Sequence, residues 1–410
     1  MLSSSPEIRR KRLTALWSRD VDPSRLAGRT KMIQMIREEI SANYQAEHLR
    51  LRNVLEERKI RAFAAALIKA FQALLTGSLP SLQCLLFCDS RNHDRIIQHL
   101  QDNPPDILYC DGVRSFYFLK RLGRMRHKMR IVVDFDDLMS RRMQSLAAAG
   151  IPLSLGYLHE KLPGRLKRAI SLKAVSKAIA RYERAALTQV ENRIGDWADA
   201  AVLISSLEAE SLQKRYRELS CKATVYAIPP HVEIVGPTKS YTGFSRFIFI
   251  GTDTLPQNKL TIQRILDLWR AVQPEAEIHL FGHMASSWPA VPGVVFRGYA
   301  ANLSDVYSGD CALFSPGVLR GGLKTKVLEA FAFGCAVIGN PITFEGLRLE
   351  RYPLQLEKAE EIEGLLRNPS SHLPQMSEAA VLGQNYLRAF VGREQFQTNW
   401  QEALEGPSLT

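Results

Sequence analysis

Short apolar runs alternate with amphipathic segments along almost the whole chain. In the amphipathic segments apolar side chains recur every three or four positions, which is the spacing of one helix face. The short runs are continuous and rich in Val, Ile and Leu, as are strands that are buried on both faces. The alternation predicts repeated β-α units around parallel sheets, and therefore an α/β protein.

The same pattern places the elements. In the first half, strands are predicted at 13–17, 48–54, 82–87, 107–110, 130–133, 200–204 and 224–228, and helices at 30–41, 58–76, 94–101, 113–124 and 164–196. In the second half, strands are predicted at 246–250, 277–281, 294–297, 312–315 and 336–339, and helices at 259–272, 302–307, 323–333 and 377–404.

The chain has 410 residues, more than the ~250–300 that one hydrophobic core usually reaches, so two domains are expected. A segment rich in Pro and Gly, 229–243, is the best candidate for a linker. We expect one domain at 1–236, a second at 237–376, and a C-terminal helix at 377–410 that crosses back to the first. Two open parallel sheets are then expected to face each other across a cleft, where the strand ends would bind ligands.

Composition is that of an ordinary globular protein, with 46% hydrophobic and 23% charged residues. The 54 Lys and Arg exceed the 42 Asp and Glu, which gives a formal net charge of +12. This balance favours anionic partners such as nucleotides or an acidic membrane surface. No uncharged apolar run is long enough to span a bilayer, so a transmembrane helix is not expected.

The 6 cysteines are scattered, and none forms a Cys-x-x-Cys pair. Thiols within apolar runs are usually small buried hydrophobes, so we expect neither disulfide bonds nor a zinc site. The first residues of the sequence contain no apolar segment that could act as a secretory signal. Both observations favour a cytoplasmic location.

The most informative segment runs from Ser315 to Pro341 and contains the pair Gly321-Gly322 before a predicted helix. Glycines let a ligand approach the backbone N–H groups of a helix start, where the helix dipole is positive. Lys324 and Lys326 add positive charge to the first turn, which disfavours lysine unless an anion offsets the charge. The segment therefore predicts a phosphate-binding turn.

Glu329 follows Gly322 by seven residues, which corresponds to about 10 Å along a helix. A nucleoside diphosphate has a comparable reach, so phosphates at the helix start and a ribose at Glu329 are geometrically compatible. Alternatively, Lys326 and Glu329 form an ordinary surface pair at i,i+3 spacing. The spacing alone leaves both interpretations open.

At this segment the sequence resembles a known family. Residues 326–338, Lys-Val-Leu-Glu-Ala-Phe-Ala-Phe-Gly-Cys-Ala-Val-Ile, look like the hallmark of the group 1 glycosyltransferases, retaining enzymes of the GT-B fold. Further similar segments in the second half are 247–251, 258–259, 279–282, 296–299 and 303–307. In the first half, 132–140, the helix with Glu183 and Glu191, and 200–206 look like the acceptor domain of exopolysaccharide and cell-envelope members.

The resemblance implies two Rossmann-like domains, the first on the acceptor side and the second binding a nucleotide sugar. The residues that it implies for the donor diphosphate are Gly251, Thr252, Lys259, Gly321, Gly322, Leu323, Lys324 and Lys326. Those implied for the nucleoside are Gly282, Gly298, Tyr299 and Glu329. We assign catalytic roles to Lys324, Glu329 and Asp136. No cofactor and no metal requirement are expected.

The sequence departs from the family pattern at two positions of this site. The family usually has a first glutamate eight positions before the second, and here that position is Gly321. The arginine often found after the loop glycine is Thr252. These departures affect the contact that the resemblance implies for the sugar more than those that it implies for the nucleotide.

Asp134, Asp136 and Asp137 follow the strand predicted at 130–133, so they are expected at a strand end. One interpretation is recognition of an acceptor hydroxyl. A second is a metal-binding Asp-x-Asp motif, because nucleotide-bound hard cations favour carboxylates. A third is capping of the helix that follows. Gly28 and Arg29 belong either to a glycine loop beside the acceptor or to an ordinary turn.

Basic residues are concentrated in 114–130 and 161–193. In the second stretch apolar and basic residues alternate as in a helix that lies on an anionic membrane surface. The alternative is a solvated face on a packed helix. Nucleic acid is not expected, because aromatic residues do not interleave with the basic ones.

These observations together predict a cytoplasmic glycosyltransferase, attached peripherally to the inner face of a membrane. It would move a sugar from a nucleotide-diphosphate donor to a carbohydrate or lipid-linked acceptor in polysaccharide or cell-envelope biosynthesis. The resemblance implies retention of configuration at the anomeric carbon. Alternatives are a nucleotide-sugar epimerase of the same fold and a non-catalytic module that binds nucleotide sugars.

Overall fold

The computed structural model describes residues 10–19, 29–54, 60–151, 172–349 and 351–407. The chain forms two compact units. The first contains the chain up to Ile204, the segment Glu208–Ile228 and the residues from Gln397 onward. The second contains Ser205–Leu207 and Pro229–Phe396.

The first unit is an α/β unit around one sheet. Its strands are β1 (Arg12–Trp17), β2 (Gln45–Arg50), β3 (Ile107–Asp111), β4 (Arg130–Asp136), β5 (Ala200–Leu203) and β6 (Thr224–Ala227). The helices along this part of the chain are α1 (Arg29–Asn43), α2 (Ile60–Leu75), α3 (Leu82–Leu85), α4 (Ser90–Asp102), α5 (Phe116–Leu122), α6 (Met139–Ala148), α7 (Lys173–Trp197) and α8 (Ser206–Glu218). The strand order is β2-β1-β3-β4-β5-β6, and all neighbouring pairs are parallel.

The centre of this sheet is completely buried. Every residue of β3 and β5 is buried, which explains why these strands are continuous apolar runs rather than alternating ones. The C-terminal helix contributes to the same core, since the ring of Trp400 lies 6.0 Å from that of Tyr109 in β3.

The second unit has a smaller sheet of the same kind. Its strands are β7 (Arg246–Ile250), β8 (Ile278–Phe281), β9 (Val294–Gly298), β10 (Cys311–Phe314) and β11 (Val337–Ile338). The helices are α9 (Pro256–Val272), α10 (Leu303–Val306), α11 (Thr325–Ala332), α12 (Ala359–Arg367) and α13 (Leu373–Phe390), and α14 (Arg393–Glu405) ends the chain. The strand order is β11-β10-β7-β8-β9, again with parallel pairs only.

An aromatic cluster packs α9 against strands β7 and β10. The ring of Trp269 lies 5.5 Å from Phe247 of β7 and 5.6 Å from Phe314 of β10. All three side chains are buried, and edge-on aromatic contacts of this kind add to the free energy of apolar burial. The C-terminal part of α9 is therefore held in a defined place against β7 and β10.

The strand predicted at 82–87 is wrong, because the segment begins with helix α3. The backbone N–H groups of Leu82 and Gln83 donate to the Glu183 carboxylate at 2.9 and 3.1 Å. Ser81 donates to the same carboxylate at 2.7 Å and accepts the N–H of Cys84. The Glu183 carboxylate thus accepts the first N–H groups of α3, which have no partner within the helix. Because Glu183 is distant in sequence, the apolar pattern of 82–87 gives no sign of this helix.

The single helix predicted at 377–404 is also wrong, because α13 ends at Phe390 and α14 begins at Arg393. Three helices, α6, α8 and α12, were not predicted from the apolar pattern. The part of the predicted helix at 164–171 lies outside the described residues.

Helix α7 is amphipathic over its described side chains. Leu187 and Ile194 are buried in the first unit, whereas Lys177, Arg181 and Arg184 are exposed. Among the described residues, none of the helices combines the length and the apolar character that crossing a bilayer requires.

Helix α13 crosses α11 at a glycine, which supplies a matched pair of stability tests. A Cβ built on Gly383 would lie 2.2 Å from the Phe331 ring, so Gly383→Ala should lower the free energy of unfolding by ~1–3 kcal/mol through overpacking. Gly364 in α12 has open space instead, so Gly364→Ala should raise it by about 0.4–1 kcal/mol. Urea unfolding of both variants measures this contrast, and shifts of the same sign would contradict the packing described.

Candidate functional site

The order of strands in the second sheet identifies one edge as the place for a ligand. From β7 the chain continues to β8 and β9 on one side, and then returns to β10 on the other side of β7. The connections after β7 and β10 consequently leave in opposite directions from adjacent strand ends. Open α/β sheets bind ligands at such a switch point, beyond the carboxyl ends of the strands.

The loop after β7 is in close contact with the loop after β8. A Cβ on Gly282 would lie 2.4 Å from the Gly251 carbonyl oxygen, and the φ of Gly282 is +134°. A Cβ on Gly251 would lie 2.8 Å from Cγ of Asn258, whose amide donates to the Thr252 carbonyl at 3.0 Å. Position 282 therefore needs glycine because the two loops approach each other at backbone distance, whereas a side chain at 251 would displace the Asn258 amide.

Gly298 and Tyr299 lie at the end of the neighbouring edge strand, β9. The Gly282 N–H donates to the Gly298 carbonyl at 2.8 Å. The loop after β8 therefore contacts both the end of β9 and the Gly251 loop. Tyr299 is 83% exposed. The structure thus places the glycines proposed for the nucleoside along one line of strand ends.

The loop after β10 contains the glycine pair and ends at the start of α11. Gly321 and Gly322 have φ angles of +107° and +64°, which non-glycine residues rarely adopt. The ammonium of Lys324 donates to the carbonyls of Gly321 at 2.7 Å and Gly322 at 3.2 Å. The Gly321 N–H is bonded to Glu345, so the backbone group expected to face a phosphate already has an acceptor in the protein.

Lys326 connects the starts of the two helices. Its Nζ donates to Oδ1 of Asn258 in the first turn of α9 at 3.0 Å, and it lies 4.0 Å from the centroid of the Phe249 ring. Burial lowers the pKa of Lys326 to about 7, with Glu329 opposing and Lys324 reinforcing the shift. The N-terminal ends of α9 and α11 therefore lie close together, and Lys324 and Lys326 add their charge to the positive ends of the two helix dipoles.

The other predicted donor-site residues lie around this point. Leu323 is buried immediately before α11, and Glu329 is partly buried one turn beyond Lys326. Lys259 is exposed in the first turn of α9. The hydroxyl of Thr252 donates to the His283 carbonyl at 2.9 Å.

Sequence reasoning missed Asp253, which joins the loops after β7 and β8. Its carboxylate accepts the N–H groups of Ala285 and Ser286 at 2.7 Å each, and the Trp288 indole N–H at 3.1 Å. Burial opposes ionisation of Asp253, but these hydrogen bonds outweigh it and hold its pKa below the usual value. The sequence does show an aspartate two residues after the loop glycine Gly251, and this spacing could have indicated Asp253. Glu345 was missed as well, and Asn258 was noted only as part of the resembling segment 258–259, without a role.

The acidic segment of the first unit lies at the end of β4. Asp134 is fully buried and accepts the Tyr109 hydroxyl at 2.7 Å and the Asp136 N–H at 2.9 Å. Asp136 has a φ of +68° at an irregularity of the β4 pairing. Its carboxylate lies 3.8 Å from Arg19.

Helix capping by these aspartates is wrong. The N-cap of α6 is Leu138, and Asp137 pairs instead with Arg142 at 2.5 Å. The first N–H groups of α6 donate to other carboxylates, Leu138 to Glu208 at 3.2 Å and Ser140 to Glu191 at 3.0 Å.

Two further predicted positions bear on the acceptor side. Gly28 lies outside the described residues, and Arg29 begins α1 with a side chain that is also outside them. The described part of the chain contains no group of three or more His, Cys, Asp or Glu residues arranged to hold a metal ion. Its six cysteines form no disulfide bond.

Comparison of the sequence with protein-family models finds no match, and comparison with curated proteins finds none either. Solved structures do match the fold. The sucrose-phosphate synthase of Thermosynechococcus elongatus is 11% identical with a TM-score of 0.61, covering 96% of this chain and 98% of its own. The lipopolysaccharide outer core galactosyltransferase WaaB is 13% identical with a TM-score of 0.58 over 96% and 98%.

Anabaena HepE, solved in complex with UDP, is 11% identical with a TM-score of 0.55, covering 97% of this chain and 100% of its own. These similarities extend over the whole chain, and the two parallel-only sheets agree with them. The chain therefore has the GT-B fold of glycosyltransferases, with two Rossmann-like domains.

Proposed function

We propose that the protein is a glycosyltransferase that takes a sugar from a nucleotide-diphosphate donor, bound at the switch point of the second sheet. The main observation behind the proposal is that the N-terminal ends of α9 and α11 lie next to each other, joined by the hydrogen bond from Lys326 to Asn258. Helix N-termini attract phosphate through the dipole and the backbone N–H groups. The HepE structure, solved in complex with UDP, supports nucleotide binding by a protein of this fold.

Lys324 and Lys326 would contact the diphosphate, and Lys259 would add charge from the first turn of α9. Glu329 would hold the ribose, since it lies on the same helix at a distance that matches the length of a nucleoside diphosphate. The backbone at Gly282 and Gly298, together with the exposed Tyr299 ring, would border the base.

The chemical contribution of this site would be electrostatic. In the transfer the bond between the anomeric carbon and the phosphate oxygen breaks, and the acceptor oxygen bonds to that carbon while its proton leaves. Negative charge then develops on the leaving diphosphate, and preorganised lysines and N–H groups stabilise such charge. The proposal needs no metal because the lysines supply the positive charge. Retention of configuration is proposed from the family resemblance.

On the acceptor side we assign Asp136, supported by Asp134 and Asp137. A positive φ at a non-glycine residue is costly, and such strain is found where a side chain must be aimed. A carboxylate at the end of a parallel strand can accept a hydrogen bond from a sugar hydroxyl. A carbohydrate or lipid-linked acceptor of polysaccharide or cell-envelope biosynthesis is the corresponding substrate class.

A peripheral location on the cytoplasmic face of a membrane is proposed from an apolar face of α2. Ile68, Phe71 and Leu75 are 57%, 63% and 72% exposed and lie on one side of the helix. The segment after α2 contacts α7, where the Tyr182 hydroxyl donates to the Pro80 carbonyl at 2.9 Å. The exposed basic residues of α7 would attract an anionic surface to which these side chains bind.

Variants of Lys324 and Glu329 test the donor site. Each alanine substitution should raise the Kd for UDP about 10–100-fold, because a hydrogen bond to a charged group contributes ~1.5–3 kcal/mol. Only Lys324→Ala should weaken the binding of inorganic pyrophosphate, which has no ribose. Calorimetry with the surface variants Arg270→Ala and Glu363→Ala as controls measures this. Wild-type affinity and turnover in both site variants would refute the assignment.

The low pKa of Lys326 predicts pH-dependent binding. Above about pH 7 its ammonium is largely neutral in the free protein, whereas a bound diphosphate favours the charged form, so binding takes up a proton. The affinity for UDP should therefore fall as pH rises from 7 toward 9, up to about tenfold per pH unit. Lys326→Arg, which stays charged, should remove this slope. The same slope in both proteins would contradict the proposed role of Lys326.

Membrane attachment is tested by sedimentation with lipid vesicles. The wild-type protein should bind vesicles containing phosphatidylglycerol more than vesicles of phosphatidylcholine alone, and less at high salt. Phe71→Glu should reduce binding to the anionic vesicles, whereas Val381→Glu, a change at an exposed apolar residue of the other unit, should not. Equal binding by both variants and the wild type would exclude α2 as the contact.

A further inference from the structure

The turn after β11 is fastened to the loop after β10 by several hydrogen bonds. The hydroxyl of Thr343 accepts the Gly317 N–H at 3.1 Å and donates to the Ser315 carbonyl. The amide of Asn340 donates to the Gly317 carbonyl at 2.8 Å. Residues 340–345 therefore take part in shaping the loop that carries the glycine pair.

Glu345 makes the last of these bonds, at the glycine pair itself. Its Oε2 accepts the Gly321 N–H at 2.8 Å, and its Oε1 lies 3.8 Å from a guanidinium nitrogen of Arg320. The Glu345 side chain is only 4% exposed, so its carboxylate is held within the protein. A hydrogen bond to an ionised acceptor is roughly twice as strong as one between neutral groups.

The bond to Glu345 continues through the backbone to Lys324. The positive φ angles of Gly321 and Gly322 bring both of their carbonyls to the Lys324 ammonium. Glu345, the glycine pair and Lys324 thus form one continuous hydrogen-bonded set. A change in the Gly321 peptide would move the carbonyl that holds Lys324.

A carboxylate beside a phosphate site repels the ligand, so its presence here requires a compensating benefit. We propose that Glu345 is a positioning residue, whose carboxylate fixes the Gly321–Lys324 turn in the conformation that binds the diphosphate. This inference rests on the proposed donor site. Its physical basis is that a turn shaped before binding loses less conformational freedom when the ligand arrives.

Calorimetric binding of UDP, GDP and ADP to three variants tests this role, with the melting temperature of each variant as a second readout. Glu345→Ala removes the acceptor, and Glu345→Asp keeps the charge but shortens its reach. Both should raise the Kd of the nucleoside diphosphate that the wild type binds by about tenfold or more. Glu345→Gln keeps an acceptor for the Gly321 N–H but weakens the hydrogen bond, and it also removes the charge that repels the phosphates. Because these two changes oppose each other, its Kd should stay within about threefold of wild type. Glu360→Ala, at an exposed residue of α12, is the control.

The possible outcomes separate this inference from the proposed function. A purely structural Glu345 would lower the melting temperature of the alanine and aspartate variants and leave their Kd unchanged well below that temperature, which overturns the inference. Equal loss of affinity in the glutamine and alanine variants also overturns it, because the glutamine oxygen can still accept the Gly321 N–H. If the wild-type protein binds none of the three nucleotides, the proposed donor site fails, and this inference fails with it.

Discussion

The concentration of positive charge at one edge of the second sheet constrains everything proposed for this protein. Two helix starts converge there, and the Lys326 ammonium is bonded to Asn258 across the gap between them. Positive ends of dipoles and two lysines repel one another in a partly buried place. Burial is the main cause of the lowered pKa of Lys326, and repulsion by Lys324 adds to it, so a bound anion would favour the charged form of this side chain.

The arrangement is a consequence of how the sheet is connected. Because β7 and β10 are adjacent strands with crossovers in opposite directions, the loops that follow them meet without any long excursion of the chain. Gly282 allows the loop after β8 to approach the loop after β7 at backbone distance, and Asp253 joins the same two loops. The aromatic packing of Trp269 then keeps α9 in place. The contacts that hold the loops and α9 together in the fold thus also position the residues of the proposed site.

Much of the fold was predictable because parallel strands buried on both sides leave a strong apolar signal. The strand at 246–250 is predicted with the bounds that the structure gives. Helix α3 was predicted as a strand because its first turn depends on the Glu183 carboxylate, which is far away in sequence. Lys324 and Lys326 could be proposed as site residues from their position at a predicted helix start, whereas the sequence offered no comparable signal for Glu345. Its contact with Gly321 exists only once the turn after β11 is folded.

A crystal structure of the protein with a bound nucleoside diphosphate would test the central claim most directly. The account predicts phosphate oxygens within hydrogen-bonding distance of Lys324, Lys326 and the first N–H groups of α11, with the ribose hydroxyls at Glu329. A nucleotide bound away from the carboxyl edge of β7 and β10 would contradict it.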